Sequence, residues 1–146
     1  MTIEDTSLDN LKELAALKVE LWPESDFDEE LQNCELLLLS VNEACFLARV
    51  DNQYVGFIQL SLRADYVEGA STSPVAYVEG LYVRPSHRKA GVARRLIEFG
   101  LAWGKEMGCV EYASDAEWQN ESSIRFHKHL GFEEVGRTVH FLRRIP

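Results

Sequence analysis

The stretch Tyr77–Arg95, YVEGLYVRPSHRKAGVARR, decides how this chain is read. Its first seven residues, Tyr77–Val83, are rich in β-branched and aromatic side chains and predict a buried strand. A carboxylate, Glu79, and a glycine, Gly80, stand in its middle, and a purely architectural strand avoids both. Pro85 ends the strand, because proline has no N–H to donate to a ladder. Arg88, Gly91 and Ala93 then open an amphipathic helix in the pattern Arg-x-x-Gly-x-Ala. Small residues at that point let backbone N–H groups approach an anion, and the helix start adds partial positive charge. The stretch therefore reads as a phosphate cradle beside a strand that carries a carboxylate.

The rest of the chain sets bounds on this reading. A length of 146 residues, 46 % hydrophobic and 27 % charged, predicts one globular domain, 1–146, with a sizeable core. The longest apolar run, Leu36–Leu39, is far too short to span a membrane. The acidic start MTIEDTSLDN lacks the basic and apolar pattern of a secretory leader, so a cytoplasmic location is expected. Cys34, Cys45 and Cys109 are odd in number and have no metal-ligand spacing; they are expected to be buried, reduced thiols, and no metal site is expected. A net charge of −9 argues against nucleic acid as partner. It suits a cationic small substrate, although acidity for solubility alone gives the same sign.

Taken in order, Ser7–Leu21 has helical spacing, with Thr6 or Ser7 as cap. Asp26 and Glu29 form a capping box for a second helix. Ala44–Val50 and Tyr54–Leu62 read as a hairpin turning at Asp51-Asn52-Gln53. After a polar loop, Arg63–Pro74, comes the strand Val75–Val83. The helix from about Ala90 to Met107 should bury Val92, Leu96, Phe99, Gly100, Trp103 and Met107. Cys109–Ser114 is the next strand, Glu121–Leu130 a short helix, and two strands, Glu133–Val135 and Thr138–Arg143, close the chain. The expected class is α/β or α+β, a mixed and mostly antiparallel sheet of six to seven strands with helices on both faces.

Three pieces together resemble one family: the strand YVEGLYV, the turn and helix Arg88-x-x-Gly91-x-Ala93, and the late helix closing on Leu130-Gly131-Phe132. They are similar to the GCN5-related N-acetyltransferases, which use acetyl-coenzyme A and share the acyl-CoA N-acyltransferase fold. A narrower likeness covers nearly the full length. Leu21-Trp22-Pro23, Asp65-Tyr66-Val67-Glu68-Gly69, Ser73-Pro74-Val75, Glu79-Gly80 and Ala113-Ser114-Asp115 resemble the aminoglycoside 6'-N-acetyltransferases, bacterial resistance enzymes.

The resemblance implies roles for particular residues. The N–H groups of Arg88, Lys89, Ala90, Gly91, Val92, Ala93 and Arg94 would wrap the pyrophosphate of coenzyme A. The pantetheine arm would lie along the strand edge Leu81, Tyr82 and Val83, as an added strand. Asn120 matches a position that contacts that arm, and equally suits an ordinary helix cap. Glu79 would bind the substrate amine, take its proton, or do both, since an ammonium has no lone pair with which to attack. The Leu81 N–H would hold the developing oxyanion. His127 occupies a position where the wider family often has a tyrosine as proton donor; it either donates or is a half-exposed helix residue. Asp115, Tyr66 and Trp22 would line the aminoglycoside cleft, against the plainer readings of a strand-end cap and core packing. The resemblance also implies a homodimer with C-terminal strands near the interface. Two rivals stay open: acetylation of another amine, a polyamine or a peptide N-terminus, and a non-catalytic acetyl-coenzyme A or drug-binding module.

Overall fold

A computed structural model of the chain describes residues 1–146. The elements run β1 (Thr2–Asp5), α1 (Leu11–Leu21), α2 (Phe27–Leu39), β2 (Glu43–Val50), β3 (Gln53–Arg63), β4 (Val75–Val83), a 3-10 turn (Pro85–His87), α3 (Val92–Glu106), β5 (Tyr112–Ala113) and α4 (Glu121–His129). One sheet has the order β1-β2-β3-β4-β5; the first four strands are antiparallel, and β5 runs parallel to β4.

Alternation along the strands divides the core. Leu47 and Phe57 face α1 and α2, where Leu14, Leu17 and Cys34 close around them. Their neighbours Ala48 and Ile58 point the other way, onto Val92, Leu96 and Ile97 of α3. This is the mixed sheet with helices on both faces that the sequence predicts. Asp51 and Asn52 both take positive φ (49° and 65°), the turn whose twist matches a tight hairpin. Asp26 caps α2 as expected, accepting from Glu29 N at 3.2 Å.

Four details differ from the expectations. The acidic start is an edge strand, β1, paired with β2. Helix α1 begins at Leu11, not Ser7, because Asn10 ties the preceding turn: it accepts from Ser7 N at 2.8 Å and donates to Asp5 O at 3.0 Å. Thr6 does not cap; its hydroxyl donates to Cys45 O. The buried face of α3 includes Ile97 and Gly104, leaving Phe99 and Met107 more than a third exposed. Glycines at positions 100 and 104 let the helix approach closely, since a Cβ on Gly104 would stand 2.7 Å from that of Ala76. Finally, the sheet has five strands, and residues 132–146 form none. A strand needs a neighbour to take its backbone hydrogen bonds, and residues 132–146 pair with no strand of the sheet. Its apolar residues face solvent: Phe141 is 92 % exposed, Leu142 91 % and Ile145 95 %.

Candidate active site

The site is built at a fault in the sheet. Along β3 and β4, Leu60 lies opposite Val78 and Gln59 opposite Gly80, so Glu79 is the extra residue of a β-bulge. Bulges re-aim side chains, and here the carboxylate meets two partners from the neighbouring strand. Arg63 Nε and Nη2 donate to Glu79 Oε2 at 3.3 and 2.9 Å, Nη2 also reaches Oε1, and Ser61 Oγ donates to Oε2 at 3.2 Å. The pair is partly open, with side-chain exposures of 40 % for Arg63 and 24 % for Glu79. The Glu79 hydrogen bonds push the Arg63 guanidinium above its ordinary value. Arg63 and Ser61 leave no mark in the sequence beside Glu79, because partners across a strand pair carry no local signal.

A second carboxylate joins this group through an aromatic ring. The Arg63 guanidinium stacks 3.5 Å from the centroid of Tyr77, and the Tyr77 hydroxyl donates to Asp115 at 2.5 Å. Burial, then the bond to Asp115, pushes the Tyr77 phenol well above its ordinary range. Asp115 follows β5 and is exposed, as a residue at a strand end should be to meet solute. Trp22 is half-buried over Gly80, one residue from Glu79, and its ring meets Phe57 edge-on at 6.1 Å. Tyr66 stands apart on the loop, 81 % exposed, with its hydroxyl on Glu68. That loop is strapped to the body by Glu111, which accepts from the N–H groups of Ser71 and Thr72 at 3.0 and 2.7 Å.

The other half of the site lies where β4 and β5 part. Only Ala76 and Tyr77 pair with β5, so Leu81, Tyr82 and Val83 have no strand on that side. The edge leads to α3, whose cap, Gly91, has φ +82° and no side chain to satisfy the first-turn N–H groups. A Cβ at Gly91 would meet nothing within 4 Å, so the backbone opens directly to solvent. These features fit a diphosphate carrying a peptide-like arm. Arg88 bends back, donating from Nε to Val83 O at 2.8 Å, while Lys89 takes φ 64°. Ala90 and Ala93 keep the turn small, Val92 is buried beneath it, and Arg94 is exposed beside Glu98.

Asn120 caps α4, accepting from Ser123 N at 3.2 Å. His127 is half-buried; Nδ1 lies 2.7 Å from Ser123 O and Nε2 2.8 Å from Ser114 Oγ. The carbonyl fixes a proton on Nδ1, and the ring reaches outward only through Ser114. Of the cysteines, Cys34 and Cys45 are buried and Cys109 only partly so. Burial pushes the Cys45 thiol up to about 12 and raises Cys34 as well, which leaves both poor nucleophiles.

A bulged carboxylate, an open strand edge and an uncapped glycine turn coincide with a family match over residues 8–132: the chain belongs to the acetyltransferase (GNAT) family. It is 39 % identical over 145 residues to an aminoglycoside N(6')-acetyltransferase type 1 from Acinetobacter haemolyticus, and 38 % identical over 144 residues to one from Salmonella enteritidis, covering 99 % of both chains in each case. It is also similar to the solved structure of AAC(6')-Iy in complex with the bisubstrate analog CoA-S-monomethyl-acetylneamine, with a TM-score of 0.94, 38 % identity, and coverage of 99 % of this chain and 98 % of that one.

Proposed function

We propose that residues 1–146, as a single domain, form an aminoglycoside 6'-N-acetyltransferase that confers antibiotic resistance. The observation that carries this is the Glu79 bulge beside an unpaired strand edge that leads into the Gly91 turn. The full-length likeness to aminoglycoside N(6')-acetyltransferases supports the choice of substrate.

The residues divide the work. The first-turn N–H groups after Gly91, with Arg88 and Arg94, hold the diphosphate; Leu81–Val83, with Asn120, hold the arm. Bound acetyl-coenzyme A supplies the acetyl group as an activated thioester. Glu79 and Asp115 receive the substrate's ammonium groups, and Trp22 and Tyr66 flank its rings. Glu79 takes up the amine's proton, directly or through a water. The Leu81 N–H faces the carbonyl oxygen. Ser114, whose hydroxyl lies on His127 Nε2, passes a proton from His127 toward the departing sulfur. Attack is direct within a ternary complex, consistent with the buried, high-pKa cysteines.

A thiol-release assay with kanamycin, spermidine and peptides tests this reading. Turnover is expected to be fastest with kanamycin; faster turnover with spermidine or a peptide overturns the substrate, and no thiol release with any of them overturns the enzyme. A homodimer belongs to the same proposal: an apolar C-terminal segment exposed at Val139, Phe141, Leu142 and Ile145 needs cover, which a second copy would give. Light scattering at the monomer mass would refute the dimer. A cytoplasmic setting accords with three free cysteines, and no helix is long and apolar enough to cross a membrane.

A further inference from the structure

A guanidinium inside a cleft meant for polycations works against its ligand, so Arg63 needs a reason to be there. Its contacts supply one. It is the last residue of β3, it grips both oxygens of Glu79, and its flat face covers Tyr77, whose hydroxyl is bound to Asp115. Ser61, Glu79, Arg63, Tyr77 and Asp115 thus form one unbroken chain of contacts across β3, β4 and the segment just after β5.

We propose that Arg63 is a positioning residue: it fixes the Glu79 and Asp115 carboxylates relative to one another, so that they receive two amines of one rigid substrate. The inference rests on those carboxylates being the aminoglycoside's partners. A planar fork can do this where a point charge cannot, because two parallel N–H donors set the plane of the carboxylate and a flat cation stacks on a ring. Two carboxylates and one guanidinium leave the cluster with net negative charge, so the ammonium groups are still attracted. A guanidinium that merely stood in for the absent ammonium would behave oppositely, since its removal would tighten substrate binding.

Thiol-release kinetics on wild type, Arg63→Met and Arg63→Lys separate these possibilities. Arg63→Met is expected to raise the kanamycin KM about ten-fold or more, with the acetyl-coenzyme A KM within about two-fold of wild type. Arg63→Lys should recover only part of the loss, because it restores charge without the fork. Kanamycin binding measured by calorimetry in a Glu79→Ala background should not weaken further on adding Arg63→Met, since the group it grips is gone and the unpaired guanidinium repels the ligand. If Arg63→Met does not fold, Arg63→Lys carries the test with an expected rise of about three-fold or more. A kanamycin KM that falls or stays put, or effects that multiply in the double variant, overturn the clamp. Wild type that releases no thiol with kanamycin overturns the substrate reading itself.

Discussion

Gly80 leaves the space on β4 that the indole of Trp22 fills: a Cβ there would stand 2.9 Å from Trp22 Cη2 and 3.1 Å from Cζ2. The contact joins the end of α1 to the strand that carries Glu79. Gly80→Ala should therefore displace Trp22 from Phe57 and destabilise the fold by about 1–3 kcal/mol, the usual cost of overpacking. Urea denaturation with unchanged slope and a lower midpoint is the expected result; an unmoved midpoint would mean that the indole yields freely.

Tyr77→Phe removes only the hydroxyl that holds Asp115 and leaves the ring on which Arg63 stacks. A hydrogen bond to a charged group contributes about 1.5–3 kcal/mol, less where the acceptor is exposed. The kanamycin KM should rise about three- to ten-fold, with the acetyl-coenzyme A KM unmoved. Spectrophotometric titration should show the phenols that ionise near the ordinary range unchanged in number in Tyr77→Phe, because Tyr77 is held above it.

Gly91→Ala tests the other half of the site. The substitution meets no neighbouring atom, but φ +82° strains any L side chain, at about 1 kcal/mol. The expected change is a several-fold rise in the acetyl-coenzyme A KM with the kanamycin KM preserved, the mirror image of Tyr77→Phe. Equal shifts in both would deny that the two halves serve different ligands.

The ion pair of Arg84 and Glu20, at 2.8 Å, gives a pH prediction. The Arg84 hydrogen bond holds the Glu20 carboxyl below its ordinary value of about 4.5. A depressed folded-state pKa adds stability above the unfolded value, and that stability is lost as pH falls through the folded one. Each side chain is about a third exposed, so the gain is under about 1 kcal/mol. Wild type should melt above Glu20→Gln near neutrality, and the gap should close as pH falls below the ordinary carboxylate value. A gap that persists in acid would assign the difference to packing.

Much of this was legible in the sequence, where the signal was local. Val75–Val83 stands as predicted because Pro74 and Pro85 bracket a continuous β-branched and aromatic run. The Gly91 turn and the Asp26 cap carry their signatures within six residues. What escaped depends on contacts distant in sequence. The Arg63–Glu79 grip spans 16 residues and exists only because β3 and β4 pair with a bulge. Nothing local in Glu133–Val135 or Thr138–Arg143 tells whether a neighbouring strand takes their hydrogen bonds, and none does.

The most direct test of the account is a crystal structure with coenzyme A bound. The diphosphate is expected on the N–H groups that follow Gly91, the pantetheine arm along Leu81–Val83, and the sulfur beside Glu79. Cofactor density anywhere else, or a Glu79 carboxylate turned away from the sulfur, would contradict it.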